Sequence, residues 1–145
     1  MPHSTGPDRY LPLLGERGRG VLCTLKADGR PQLSTIDYWY DADAGFVRLS
    51  TTADRAKARN LRRDPRVSLH VSTPGGGAYA VFEGLATLSA VAAEPCDAAV
   101  EQLVAVYRGV QGEHPDWEEY RTAMVADRRL AVGFRVEHAY GWVPA

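Results

Sequence analysis

The stretch whose residue types point most directly at a ligand is Ser50-Thr51-Thr52-Ala53-Asp54-Arg55-Ala56-Lys57-Ala58-Arg59-Asn60. An alternating apolar segment ends there in three consecutive hydroxyls. Helix-forming residues without glycine then fill positions 54–63 and stop at Asp64-Pro65, because the residue before a proline is pushed out of the helical region. Arg55 and Lys57 therefore fall in the first turn, at the positive end of the helix dipole, which repels cations. A phosphate removes the conflict, since free amide N–H groups, hydroxyls and cationic side chains can all donate to it together. Solvated surface cations are the competing explanation, and the coincidence of Ser50, Thr51 and the helix start favours the phosphate. Arg62 and Arg63, at the other helix end, suit the dipole and need no ligand.

Other constellations carry less. Arg55, Lys57, Arg59, Arg62 and Arg63 form a run of cations that would interest a nucleic acid, but 100° steps scatter them around the helix and no aromatic residues interleave for base stacking. Gly15, Gly18 and Gly20 reverse the dinucleotide fingerprint and precede a strand, and Gly75 to Gly77 lacks the lysine of a phosphate loop; both are expected to be turns. Cys23 and Cys96 are too far apart in sequence for a redox pair, and His3, His70, His114 and His138 have no ligand spacing, so no metal site is expected. Gln32 and Ser34 share a strand face and could read the edge of a heteroaromatic ring by donor and acceptor contacts. Tyr79, just after the glycines, is the aromatic best placed to pack on a planar ligand, with Tyr38 and Tyr40 as further candidates.

The elements that must position these residues follow from periodicity. Alternation and the Asp28-Gly29 turn signal predict a hairpin over 20–27 and 31–40, followed by a strand at 46–51. Residues 67–72 and 79–89 form a second predicted hairpin, and 130–142 a single extended segment. Val100, Leu103, Val104, Tyr107 and Val110 recur at helical spacing from about Pro95. A further helix is expected over 115–127, with Trp117, Tyr120 and Met124 on one face, acids in its first turn, and Arg128 and Arg129 after its last. A weak helix is placed at 10–17. Six strands, mostly in hairpins and without repeating βαβ units, predict a mainly β (α+β) antiparallel barrel with flanking helices.

At 145 residues, 45% hydrophobic and 24% charged, the chain has the size and balance of one domain, expected to span 1–145. The formal net charge of −1 provides no overall field for nucleic acid or an anionic membrane. Apolar runs long enough for a bilayer span are missing, and positions 1–6 lack the basic and apolar regions of a secretory signal. A cytoplasmic protein with a small-molecule partner is expected.

Taken together, Gly20-Val21-Leu22-Cys23-Thr24-Leu25, Asp28-Gly29-Arg30-Pro31-Gln32-Leu33-Ser34, Arg55-Ala56-Lys57, Arg59-Asn60-Leu61-Arg62-Arg63-Asp64-Pro65, Tyr107-Arg108, Gly112-Glu113-His114, Asp116-Trp117 and Tyr120-Arg121 resemble the pyridoxamine 5′-phosphate oxidase-like split-barrel superfamily. Within it the chain is most similar to the branch that uses the 8-hydroxy-5-deazaflavin coenzyme F-420. The resemblance implies a homodimer of six-stranded split barrels with cofactor sites between subunits. Lys57 and Arg55 would hold the cofactor phosphate, assisted by Ser50 and Thr51, while Gln32, Ser34 and Thr35 line the ring and Tyr79 reaches over from the second subunit. Leu49, Ala56 and Asn60 complete the implied set. Lys26, Arg30 or Arg59 would suit the acidic tail of F-420. The activity implied is hydride transfer from reduced F-420 to an electron-poor small molecule, with no dedicated catalytic side chain. An FMN-dependent enzyme on the same fold, or a non-catalytic flavin or tetrapyrrole carrier, are the alternatives.

Overall fold

Buried and exposed side chains alternate along β1 (Arg17–Leu25) and β2 (Pro31–Asp41), as they must where one face of a sheet meets a core and the other does not. The two strands pair antiparallel from Arg17 opposite Trp39 to Leu25 opposite Pro31. The turn between them is closed by Gly29 donating to the Lys26 carbonyl at 2.9 Å, with Gly29 at φ +86°. The computed structural model describes residues 7–144. Within it β3 (Phe46–Thr52), β4 (Arg66–Ser72), β5 (Tyr79–Leu88) and β6 (Arg129–Arg135) follow, with a short β7 (His138–Trp142). The order β4-β1-β2-β3-β6-β5 is closed by β4 against β5, making a six-stranded antiparallel barrel with β7 as an extra strand along β5.

The single extended segment expected at 130–142 is two strands on one partner. Phe134 lies opposite Ala86, and His138 opposite Glu83, so three residues on one side face two on the other. This one-residue bulge bends the strand. It forces Gly84 so close to the opposing chain that a Cβ there would run into the Arg135 carbonyl oxygen. The weak helix expected at 10–17 is replaced by two 3-10 turns, Pro7–Arg9 and Leu11–Leu13, because Gly15 at φ +59° leaves helical geometry and β1 already starts at Arg17.

Inside the barrel Leu22, Tyr38, Val47, Leu49, Leu69, Phe82, Leu130 and Phe134 are all buried. Outside it, α2 (Ala98–Gln111) and α3 (Trp117–Ala126) pack Val100, Leu103, Val104, Tyr120 and Met124 against Ala131 of β6 in a second cluster. Asp97 and Asp116 cap these helices by accepting from Val100 N at 2.8 Å and Glu119 N at 3.1 Å, as helix-start carboxylates do. Among the described residues no helix is long and apolar enough to cross a membrane.

One irregularity positions the site. β2 and β3 pair only at Trp39↔Arg48, Tyr40↔Val47 and Asp41↔Phe46. Beyond Trp39 the first strand stays with β1, and the second stays with β6 as far as Thr52 opposite Arg129. The facing edges at 35–38 and 49–52 therefore part, and the barrel is split there.

Gly84→Ala is expected to destabilise the fold by about 1–3 kcal/mol, the usual cost of overpacking, because the clash is with backbone. Urea unfolding would read this as a lower midpoint.

Candidate functional site

The parted strands open onto a cleft of about 530 Å³. Thr35, Ile36 and Asp37 of β2 form one lip and Ser50, Thr51 and Thr52 of β3 the other, while Val106, Tyr107, Val110 and Gln111 of α2 and Tyr120 and Met124 of α3 supply a wall. Three cations enter this space: Arg55, Lys57 and Arg129. Arg55 occupies the N-cap position of α1 (Ala56–Arg63) with extended backbone and no side-chain cap. Because arginine has no acceptor to offer, the first amide N–H groups of the helix remain available to an external anion.

Arg129 comes to the cleft by a separate route. Arg128 adopts φ +52°, a left-handed conformation costing roughly 1 kcal/mol for a residue with a Cβ. Its N–H donates to Val125 O at 3.1 Å and its carbonyl accepts from Ala53 N at 2.9 Å. The turn thus ties the end of α3 to the loop before α1 and starts β6 with Arg129, whose Nη1 donates to Ser50 Oγ at 3.1 Å.

None of the three cations has an ion pair among the described residues. Asp37 is engaged by Arg19 at 2.8 Å, and Asp127, which also lines the cleft, pairs with none of them. Burial, then Arg55, then Arg129 push the Lys57 ammonium below its ordinary lysine pKa. Across the cleft, Tyr120 donates to Leu103 O at 2.8 Å, and burial pushes its phenol up to about 12. Tyr107 packs edge-on to Tyr120 and His114, each with ring centroids 5.0 Å apart.

Of the residues singled out from sequence, Thr35, Ser50, Thr51, Arg55 and Lys57 line this cleft together. Gln32 and Ser34 lie on the same strand face as Ile36 but, unlike it, do not line this cleft; Ser34 Oγ is buried without a hydrogen-bond partner among the described residues. The Leu49 side chain is wholly buried in the barrel core, which leaves only its backbone for a ligand. Ala56 opens α1. Asn60 is buried and bonded to Thr24 and Arg63. Tyr79 is exposed, stacked on His70 at 5.6 Å, and lines none of this cleft. Lys26, Arg30 and Arg59 are exposed and do not line it either. Tyr38 is a core residue whose hydroxyl donates to Leu14 O at 2.7 Å.

Sequence reasoning missed Arg129 and the wall of Tyr107, Tyr120 and Met124. Arg129 was explained there by the helix dipole alone, and nothing local links it to Ser50, 79 positions away. The wall was legible as helix stripes but not as facing β3.

The pyridoxamine 5′-phosphate oxidase family profile matches residues 7–143. A curated relative, the F-420H2-dependent biliverdin reductase of Mycobacterium tuberculosis, is 26% identical over 134 residues, covering 92% of this chain and 86% of its own. Among solved structures, an F-420 reductase superposes with a TM-score of 0.67 at 24% identity, covering 92% of this chain and 98% of that one; this likeness shows the fold. A conserved hypothetical protein of Mycobacterium tuberculosis superposes with a TM-score of 0.64 at 26% identity, covering 88% of this chain and 81% of its own.

A lowered lysine pKa means that, at neutral pH, the unfolded chain holds this proton more tightly than the folded one, so charged Lys57 opposes folding. The opposition is relieved as pH rises from the lowered value toward the ordinary one. Lys57→Met is therefore expected to raise the thermal midpoint of ligand-free protein at pH 7 and to shrink that advantage at alkaline pH. Paired melting curves at the two pH values would check both signs.

Proposed function

Since the chain belongs to the pyridoxamine 5′-phosphate oxidase family, we propose that it is an oxidoreductase whose cleft holds coenzyme F-420 and presents it to an electron-poor small molecule. The observation that carries the reading is the set of Arg55, Lys57 and Arg129, none in an ion pair among the described residues, beside the hydroxyls of Ser50, Thr51 and Thr52 and the uncapped start of α1. A phosphate fits that donor set because every group in it can donate. The orphaned Ser34 Oγ, further along β2, fits the polar edge of a ring. The choice of deazaflavin is supported by the biliverdin reductase relative, whose name carries that dependence.

In this reading Lys57, Arg55 and Arg129 take the phosphate, helped by Ser50, Thr51 and the first N–H groups of α1. Thr35, Ser34 and Gln32 meet the ring side. Bound and reduced, the deazaflavin supplies a hydride from C5. The chain's own contribution is to fix distance and face and to narrow the access of water, so no side chain is named as a catalyst. FMN is the second reading, since it too offers a tricyclic ring, a ribityl chain and a phosphate.

A second copy of the chain completes the proposed site. Leu33, Leu85, Tyr140 and Trp142, on β2, β5 and β7, are 61%, 52%, 48% and 58% exposed, and large exposed apolar surfaces mark interfaces. Tyr79, on the same strands, would reach the partner's cofactor. Light scattering is expected to give twice the 15.9 kDa chain mass; a monomer would remove Tyr79 from the site.

Titration of the protein with F-420, FMN and haem, followed by fluorescence or absorbance, tests the function. Tight F-420 binding is expected, together with reduction of an acceptor from a screen of quinones, enones, nitroaromatics and biliverdin. Tight FMN binding with none for F-420 would favour the second reading, and binding without turnover a carrier. Lys57→Ala should weaken cofactor binding by about 1.5–3 kcal/mol, the worth of a charge-assisted hydrogen bond, measured by the same titration.

A further inference from the structure

Thr24 is wholly buried in β1, directly opposite Gln32 of β2. Its hydroxyl oxygen accepts from Asn60 Nδ2 at 3.1 Å and its proton goes to Gln32 Oε1 at 3.1 Å. The direction of the first bond is set from the far end of α1. Arg63 can only donate, and its Nη2 gives hydrogen bonds to Asn60 Oδ1 at 3.0 Å and to Leu25 O at 2.8 Å. With Oδ1 receiving the guanidinium, Asn60 turns its NH2 toward Thr24. The Thr24 oxygen, receiving that N–H, gives its proton to Gln32 Oε1, and the Gln32 amide is held in the matching sense because its Nε2 donates to the Leu33 carbonyl, which can only accept.

Gln32 is thereby left with Nε2 pointing away from Thr24. The partner recorded for that nitrogen is Leu33 O, at 3.3 Å, so at least one of its two N–H bonds is uncommitted among the described residues. Two positions along the same face, Ser34 Oγ is buried with no partner. A glutamine that could turn over would offer either sign to a ligand, whereas this one offers only a donor.

We propose that Thr24 is a positioning residue: through Asn60 and Thr24, Arg63 fixes Gln32 as a hydrogen-bond donor toward a ligand edge made of acceptors, such as the carbonyl and ring nitrogens of a tricyclic cofactor. The proposal rests on the functional reading above and adds to it the side chains that set its polarity. It also makes α1 serve both ends of the site, because Lys57 faces the cleft and Asn60, one turn later, feeds the relay.

Thr24→Val keeps the shape and removes the relay, Thr24→Ser keeps both, and Asn60→Asp turns the Thr24 proton away from Gln32 by offering it a carboxylate. In ligand-free protein, the Gln32 side-chain amide signals in a 1H–15N spectrum should be displaced by Thr24→Val and by Asn60→Asp and restored in Thr24→Ser. In the same variants F-420 or FMN affinity should fall roughly tenfold, the worth of one hydrogen bond, with inorganic phosphate affinity unchanged. Amide signals that ignore both Thr24→Val and Asn60→Asp would overturn the relay. So would equal losses of cofactor and phosphate affinity, which a merely structural role would give. A wild-type protein that binds neither cofactor defeats the functional reading instead, and the ligand-free amide signals then decide the relay by themselves.

Discussion

Like charges repel, and burial strengthens the repulsion by removing the water between them, so Arg55, Lys57 and Arg129 can share one cleft only because the fold fixes each backbone independently. Arg55 and Lys57 are set by the point where β3 ends and α1 begins. Arg129 is set by the left-handed turn at Arg128 and by its pairing opposite Thr52. Neither arrangement relaxes when the charges repel, and the Lys57 ammonium is held below its ordinary pKa first by burial and then by Arg55 and Arg129. A fold that holds three cations together, with no ion pair to any of them among the described residues, is poised for an anion.

The split between β2 and β3 serves the same end. Continued pairing beyond Trp39 and Arg48 would have brought Thr35 against Thr52 and closed the cleft with a ladder of backbone bonds. Parting the strands leaves edge groups in need of partners, which a polar ligand or water can supply. The bulge opposite Gly84 supplies curvature elsewhere in the ring. Phosphate end and ring end are then joined through α1, whose first turn meets the cleft and whose Asn60 is bonded to Thr24.

Much of this was legible in the sequence, and what was not has a common physical cause. The hairpins and the helix at 54–63 are local, written in alternation and in Asp64-Pro65, whereas Asp116, expected inside the first turn of its helix, is the cap before it. The pairing of hydroxyls with a helix start was enough to single out Ser50, Thr51, Arg55 and Lys57. Arg129 escaped because its partner, Ser50, belongs to a strand brought beside it only by barrel closure. Asn60 was implicated by resemblance, yet its side chain is spent on Thr24 and Arg63, a role that no spacing along the chain encodes. Leu49, likewise implied by resemblance, faces the core while its neighbour Ser50 lines the cleft.

If these cations hold a phosphate, the wild-type protein must distinguish F-420 from the same deazaflavin ring and ribityl chain lacking phosphate and tail, and comparing those two affinities decides the matter. With FMN and riboflavin run alongside, the phosphate is isolated from the tail. At two or more charge-assisted hydrogen bonds, the phosphate-free forms should bind at least roughly 100-fold more weakly. Equal affinity with and without phosphate, in both pairs, would contradict the account.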